Sequence, residues 1–275
     1  MNIGFIGAGN MGGAIIKGYA ASGAMKADKA DAIFVYDSDE EKTAGLAAQG
    51  LPVSIAGSLA ELVGASEALV VCVKPNVMGD VLDEVAALSG PNGGGKLFIS
   101  IAAGISISFI TGKLGADVKV IRVMPNTPAM VGEGMSVMCA SDGLPGAGKA
   151  AAERLFGAVG VAVWVPEEQM DIVTGISGSS PAYVYLYIEG LVRAGIDGGL
   201  SKEAATIMAA QSTLGAGKMV LENLGKTEPR QLCENVCSPG GTTIEAVKTL
   251  EAAGFTDTVS NAAQASAAKS KLMTK

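Results

Sequence analysis

The sequence contains no histidine, few aromatic residues and no long apolar run, and each shortage excludes a class of function. Without histidine the chain lacks the commonest general acid and base, so serine–histidine hydrolases and histidine-assisted alcohol dehydrogenases are excluded. Aromatic residues make up 4% of the chain, so its core has to be built from Ala, Val, Ile, Leu and Met. The apolar runs are far too short to cross a bilayer, and we therefore expect no membrane partner.

Basic segments and cysteines are also scarce. The net charge is −7 and no basic run exists, so a nucleic-acid partner is not expected. The chain begins with a strand-like segment rather than a signal peptide, and its four cysteines fit reduced thiols, which predicts a cytoplasmic protein. Cys233 and Cys237 could share a helix face, but two thiols without histidine make a poor metal site, and we expect no metal.

Short β-rich runs alternate with helical stretches over residues 1–124. The predicted strands are 2–6, 32–36, 68–73, 96–101 and 119–124, and the predicted helices are 11–21, 40–49, 75–88 and 106–114. Two further predicted strands, 134–139 and 161–165, flank a helix near 147–159. Such alternation predicts an α/β fold with a mostly parallel, doubly wound sheet.

The pattern changes after residue 165, where strand-like runs stop and Ala- and Leu-rich helical patterns continue to residue 275. The clearest helix is 201–224, with Ser201 as N-cap and Gly225 as the terminating residue. We predict a dinucleotide-binding domain over 1–165 and an all-helical substrate and dimerisation domain over 166–275.

A glycine fingerprint, Gly7-Ala8-Gly9-Asn10-Met11-Gly12, follows the first strand and opens the first helix. In that context Gly7 permits a tight turn, Gly9 lets the backbone approach a pyrophosphate, and Gly12 lets the helix pack on the strand. The free N–H groups of the helix start would bind the phosphates. The fingerprint therefore predicts a Rossmann-type dinucleotide site rather than a merely glycine-rich turn.

Asp37 and Ser38 follow the second predicted strand. An acidic residue there typically accepts hydrogen bonds from the adenosine ribose and favours NAD over NADP, although Ser38 could donate to a 2′-phosphate. Asp37 could equally be an ordinary acidic start of the next helix, together with Asp39 and Glu40. Both interpretations stay open.

Two more segments end predicted strands, Cys72-Val73-Lys74-Pro75 and 122–128, and in the second of them two prolines stiffen a loop that presents Asn126. Ligands of doubly wound sheets lie beyond the carboxyl ends of the strands. Pro75 also suits the first turn of the next helix. Binding and a purely structural turn are equally compatible with both segments.

The segment Ser238-Pro239-Gly240-Gly241-Thr242-Thr243 precedes a helical apolar pattern. We predict Ser238 as N-cap and Pro239 as the first helical residue. Two glycines in a first turn cost about 1 kcal/mol each relative to alanine, which indicates that a ligand approaches the backbone. Bare N–H groups beside two hydroxyls suit a small carboxylate.

The serine-rich segment 175–183 interrupts a helical stretch. Without histidine its serines lack the usual base of a nucleophile, so we interpret it as a helix break that packs on the nucleotide domain.

Taken together, these segments resemble pyrroline-5-carboxylate reductases over nearly the whole chain. The likeness rests on the fingerprint, on Val73-Lys74-Pro75, and on 100–104, 124–128, 175–183 and 238–243. The resemblance implies a Rossmann domain, a helical domain that forms a homodimer, and larger rings of such dimers. It further implies reduction of Δ1-pyrroline-5-carboxylate to L-proline with NADPH or NADH.

The resemblance and the motifs described above together give the candidate site residues. The cofactor candidates are Ile6, Gly7, Ala8, Gly9, Asn10, Met11, Gly12, Asp37, Ser38, Cys72, Val73, Lys74, Pro75, Ile101, Ala102, Ala103 and Asn126. The substrate candidates are Ser238, Gly240, Gly241, Thr242 and Thr243. Thr243 is the catalytic candidate, placed at the ring nitrogen.

Two alternatives remain open from the residues alone. A β-hydroxyacid dehydrogenase would need a lysine acid, for which Lys202 and Lys218 are available. A redox sensor would bind the dinucleotide only. An imine reductase agrees best with the missing histidine, because a protonated imine accepts hydride without a strong acid from the protein.

Overall fold

The computed structural model describes residues 1–23 and 32–275. Contacts divide the chain into two compact units, the first comprising 1–179 with 264–275, and the second comprising 180–263.

The first unit is built on an eight-stranded sheet in the order β3-β2-β1-β4-β5-β6-β7-β8. The strands are β1 (Ile3–Ile6), β2 (Ile33–Tyr36), β3 (Val53–Ile55), β4 (Ala68–Val71), β5 (Leu97–Ser100), β6 (Lys119–Met124), β7 (Gly134–Ala140) and β8 (Gly160–Trp164). All neighbouring pairs are parallel except β6 and β7, which are antiparallel. The predicted Rossmann-type sheet is confirmed.

Helices cover both faces of this sheet. They are α1 (Asn10–Ala21), α2 (Glu40–Ala47), α3 (Leu59–Ala65), α4 (Met78–Ser89), α5 (Ile107–Leu114), α6 (Gly146–Gly157) and the short α7 (Met170–Val173). Alternate strand residues face opposite sides: Phe5 and Val70 pack with α1 and α6, whereas Leu69 and Phe98 pack with α3, α4 and α5. Burial on both faces is why the strands read as nearly continuous apolar runs.

Three features of this unit differ from the predictions. β3 and α3 were not predicted, although Ser58 and Glu61 carry the sequence pattern of a capping box. The Ser58 hydroxyl accepts from Glu61 N at 3.1 Å, and the Glu61 carboxylate accepts from Gly57 N, one residue before the N-cap, at 2.7 Å. Pro75 is not in the first turn of α4. It lies in a preceding turn closed by Val77 N and Lys74 O at 3.1 Å, which displaces the helix start to Met78.

Residues 167–178 belong to the first unit by packing, although they follow the predicted boundary. Met170 and Val173 of α7 are buried in the core beside the sheet, and Glu167 pairs with the buried Arg122 of β6 at 3.1 Å. The end of the last helix packs on the same segment, because Ser270 donates to Asp171 at 2.7 Å. This division describes packing alone, and a domain boundary near residue 165 stays a prediction.

The second unit is entirely helical. It contains α8 (Ser180–Asp197), α9 (Lys202–Glu222), α10 (Pro229–Val236), α11 (Thr242–Ala252) and the first part of α12 (Phe255–Met273). The Ser201 hydroxyl caps α9 by accepting from Ala204 N at 3.2 Å, which confirms that N-cap. Close approach of α8 and α9 depends on Gly195, where a Cβ would lie 2.8 Å from that of Ala205.

Many large apolar side chains of the second unit are exposed. Leu186 of α8 is 68% exposed, Leu221 of α9 is 67% exposed, and Leu224 after it is 77% exposed. No described helix of either unit is long and apolar enough to span a membrane.

Candidate functional site

The glycine fingerprint lies where the strand order of the sheet reverses. β1 pairs with β2 on one side and with β4 on the other, and ligands of such sheets bind beyond the carboxyl ends at this point. Gly7 has φ +103°, and a Cβ on Gly12 would lie 2.6 Å from the Gly7 carbonyl oxygen. A Cβ on Gly9 would meet no atom within 4 Å. Gly7 and Gly12 are therefore required by packing, whereas Gly9 borders open space.

The start of α1 offers free N–H groups beside that open space. Gly9 is its N-cap, no side chain caps the helix, and its first turn carries no acidic residue. The first N–H groups of a helix have no partner within it and attract anions. The fingerprint residues present therefore fit a dinucleotide pyrophosphate.

A cavity of about 530 Å³ gathers residues from three strand ends. Predicted cofactor residues in its lining are Ile6, Gly7, Gly9, Asp37, Ser38, Cys72, Val73 and Lys74. Ala8, Gly9 and Asn10 also line a neighbouring cavity of about 540 Å³ beside α1 and α2. The structure thus brings together side chains from β1, β2 and β4 that the sequence had only placed at strand ends.

Asp37 connects the end of β2 to the fingerprint. Its Oδ2 accepts from Ala8 N at 2.7 Å, and its Oδ1 accepts from Asp39 N at 2.9 Å. Lys42 lies 3.4 Å from the same carboxylate and 3.3 Å from that of Asp39. Burial pushes the pKa of Asp37 upward, but the two backbone N–H groups and Lys42 outweigh it and hold that pKa below its ordinary value.

Cys72 and Lys74 follow β4 at the same edge. Burial raises the pKa of the Cys72 thiol far above its ordinary range, so it stays protonated and serves packing against Gly12 rather than nucleophilic chemistry. Lys74 is exposed and lines the cavity.

The remaining cofactor candidates lie outside that cavity lining. Met11 and Gly12 are in the first turn of α1, and Ile101, Ala102 and Ala103 directly follow β5. Asn126 is buried, and its side chain donates to Ser177 O at 3.0 Å and accepts from Met135 N at 2.8 Å. Both ends of this amide are thus engaged within the protein, which gives Asn126 a bracing role in the loop after β6.

The loop after β5 is held by the last described residues. Lys275 N donates to Gly104 O at 2.9 Å, and Ser106 N donates to Lys275 O at 3.2 Å. This fixes the segment immediately after Ile101–Ala103.

The predicted substrate residues all lie in the second unit, and their local structure differs from the prediction. Ser238 is not an N-cap. Gly241 N donates to Ser238 O at 3.0 Å and Gly240 has φ +69°, so Pro239 and Gly240 form the centre of a type II turn. The N-cap of α11 is Gly241, and the helix begins at Thr242.

This geometry leaves the start of α11 available to a ligand. No side chain caps the helix, Gly240 has open space around its α-carbon, and Thr243 is half-buried in the first turn. Bare N–H groups beside two threonine hydroxyls can bind a small carboxylate.

Two serines of 175–183 make structural hydrogen bonds. Ser177 donates to Val173 O at 3.1 Å, and the hydroxyls of Ser179 and Ser266 lie 2.8 Å apart. Residues Thr174–Gly178 form a wide helical turn, and a Cβ on Gly178 would lie 2.6 Å from Met124. The segment packs closely on the end of β6, in agreement with the prediction.

Lys42 is a cavity residue that the sequence analysis did not assign to the site. In the sequence, only the separation of Lys42 from Asp37 and Asp39 by five and three residues indicates the ion pairs. That separation becomes informative once α2 is known to begin at Glu40.

Comparison with known proteins identifies the family. A model described as pyrroline-5-carboxylate reductase dimerisation matches residues 167–273, and one described as NADP oxidoreductase, coenzyme F420-dependent, matches residues 2–104. Pyrroline-5-carboxylate reductase of Escherichia coli K12 is 39% identical over 273 residues, covering 99% of this chain and 98% of the relative.

Two solved structures agree with that match. A pyrroline-5-carboxylate reductase from Coxiella burnetii superposes with a TM-score of 0.89 at 33% identity, covering 100% of this chain and 98% of that one. The Plasmodium falciparum pyrroline carboxylate reductase with NADP bound gives a TM-score of 0.85 at 33% identity, with the same coverage. Sequence likeness over the whole length and a shared fold confirm the predicted resemblance: the chain belongs to the pyrroline-5-carboxylate reductase family.

Proposed function

We propose that the chain reduces the cyclic imine Δ1-pyrroline-5-carboxylate to L-proline, using NADPH as reductant with NADH as a possible second cofactor. The observation that carries the proposal is the full-length likeness to enzymes of this name, at 39% identity for the Escherichia coli relative. The Plasmodium relative holds NADP, and one matching family model is described as an NADP oxidoreductase. The fingerprint supports the same cofactor class.

The chain's own groups account for binding and orientation. The bound dihydronicotinamide supplies a hydride to the imine carbon, while the ring nitrogen ends as a secondary amine with a proton from solvent. The start of α1 holds the pyrophosphate. The free N–H groups in the first turn of α11, that of Thr242 among them, bind the substrate carboxylate beside Gly241. The hydroxyl of Thr243 hydrogen-bonds the ring nitrogen. Most of the catalysis is positioning, which suits a chain without histidine.

Assembly is part of the proposal. We propose a homodimer formed through the second unit, or a ring of such dimers. The exposed leucines of α8 and α9 support this, because a monomer would leave a large apolar surface in water. The family model that covers 167–273 is described as a dimerisation region. A cytoplasmic location stays a prediction; the four unpaired thiols agree with it.

A spectrophotometric assay of cofactor oxidation tests the activity directly. The purified chain, shown to be folded by circular dichroism, is mixed with pyrroline-5-carboxylate and either NADPH or NADH, and oxidation is followed at 340 nm as an ordinary nicotinamide assay. We expect turnover with proline as product. A 1-pyrroline substrate without the carboxylate should react poorly, since it cannot bind at the start of α11. A folded protein that oxidises neither cofactor would refute the proposal.

A further inference from the structure

The residues beyond β2 do not suit a 2′-phosphate. A third cavity, of about 370 Å³, borders the end of this strand. Its lining includes Asp37, Ser38 and Glu40, and among the residues that the structure describes it contains no lysine or arginine. Asp39 and Glu41, the sequence neighbours of Glu40, are exposed and add two carboxylates to this segment. The pyrophosphate site fits a dinucleotide, but a further phosphate on the adenosine ribose would enter a region that carries more negative than positive side chains.

Asp37 cannot turn away from this region. Its side chain is only 9% exposed, and both of its oxygens hold backbone N–H groups, one of them within the fingerprint. The carboxylate is ionised at neutral pH, because those hydrogen bonds favour the charged form. A carboxylate also keeps free lone pairs after two such bonds, and these can accept from the ribose hydroxyls.

Lys42 lies beside these carboxylates, and its ammonium is already paired. Its ammonium lies between Asp37 and Asp39, at 3.4 and 3.3 Å. Lys42 lines the two larger cavities and not the one beyond Asp37. To reach a 2′-phosphate there it would have to leave both carboxylates, which would expose two more negative charges to the same ligand.

Accordingly, we propose that this chain recognises an unphosphorylated adenosine ribose, so that NADH serves at least as well as NADPH. Asp37 is the specificity-determining residue and also braces the fingerprint. Glu40, which lines the same cavity, repels a 2′-phosphate that would enter it. The inference rests on the proposed function, yet it concerns only the adenosine half of the cofactor.

Binding of two nucleotide fragments tests the inference without any catalysis. Adenosine 5′-monophosphate and adenosine 2′,5′-bisphosphate are titrated by calorimetry against the wild-type protein. We expect the bisphosphate to bind no more tightly than the monophosphate, and its affinity to rise with added salt, because screening weakens repulsion. A lysine-held phosphate would give the opposite: tighter binding that salt weakens.

Matched charge variants separate local from general effects. Glu40→Lys adds a cation beside the cavity and should raise bisphosphate affinity relative to monophosphate by roughly tenfold, through loss of one repulsion and gain of one attraction. Glu203→Lys makes the same charge change in the first turn of α9 and should leave the ratio unchanged. Asp37→Asn retains an oxygen acceptor for Ala8 N and should also favour the bisphosphate.

Lys42→Met tests whether Asp37 or Lys42 determines which adenosine ribose, unphosphorylated or 2′-phosphorylated, the protein prefers. If Asp37 determines specificity, this variant should keep the preference for the monophosphate or strengthen it, because removing the ammonium uncovers the carboxylates of Asp37 and Asp39. Tighter wild-type binding of the bisphosphate that is lost in Lys42→Met would overturn the inference and identify Lys42 as a phosphate ligand. Neither outcome depends on reductase activity. If the fragment titrations contradict the inference, the proposed reaction is unaffected. If the assay with pyrroline-5-carboxylate fails, the fragment titrations still test the inference.

Discussion

At the scale of single residues, Thr243 is the side chain whose loss should affect turnover. Its hydroxyl would contact the ring nitrogen, whose hydrogen bonding changes as hydride arrives. Thr243→Ala should therefore lower kcat, by at most the ~10²- to 10³-fold seen when one oxyanion-hole donor is removed. Thr243→Ser keeps a hydroxyl and should retain most of the turnover. Full activity of Thr243→Ala in steady-state kinetics would exclude this role.

Gly241 should control substrate access instead. As N-cap of α11 it offers only backbone to a carboxylate that is charged in substrate and product alike. Gly241→Val adds bulk there and should chiefly raise KM, with cofactor affinity unchanged. Titration with reduced dinucleotide provides the control, and a variant that mainly loses dinucleotide binding would contradict the assignment.

Residue types alone could not decide every role. Asp37 and Asn126 are both polar residues after strands, and sequence reasoning placed both near the cofactor. The structure distinguishes their roles. The Asn126 amide is hydrogen-bonded to the backbone of Ser177 and Met135, whereas Asp37 lines the cavity. Those partners are distant in sequence, and no local pattern reports them.

At the scale of elements, the strand–turn–helix formed by β1 and α1 allows a paired test of its glycines. A Cβ on Gly12 would lie 2.6 Å from the Gly7 carbonyl, so Gly12→Ala should lower the free energy of unfolding by about 1–3 kcal/mol, a typical cost of overpacking. Gly9→Ala meets no neighbouring atom and should change stability by less than about 1 kcal/mol.

The two variants should differ in binding as well. Gly9→Ala places a methyl group where the pyrophosphate approaches, and it should weaken dinucleotide binding in a protein of normal stability. Thermal denaturation and calorimetry measure the two effects separately. Equal loss of stability in both variants would show that Gly9 is required by packing rather than by the ligand.

Helices and strands with a long regular apolar pattern could be predicted from the sequence. Very short strands, and helix starts that contain proline and glycine, could not. Strands β1, β2, β4, β5 and β6 were predicted because buried parallel strands are continuous apolar runs bounded by turns. β3 has only three residues at the sheet edge, and its register comes from pairing with β2. The start of α11 was misplaced because Ser-Pro fits both an N-cap and a type II turn, and only the following glycine conformation decides between them.

At the scale of the whole molecule, the apolar surface of the second unit should require a partner copy. Leu186→Glu places a charge at a side chain that is 68% exposed in one chain, and it should dissociate the oligomer. Leu88→Glu makes the same change on α4 of the first unit and should leave assembly intact. Light scattering at micromolar concentration measures both, and a monomeric wild-type protein would refute the proposed dimer.

The end of α12 has a consequence for how the chain acquires its structure during synthesis. Residues 264–275 complete the first unit, with Ser270 bonded to Asp171 and Lys275 bonded to Gly104. Contacts of such long sequence separation form late, because the intervening chain must be closed into a loop first. The nucleotide-binding half therefore cannot finish folding on the ribosome ahead of the helical half, even though it is made first.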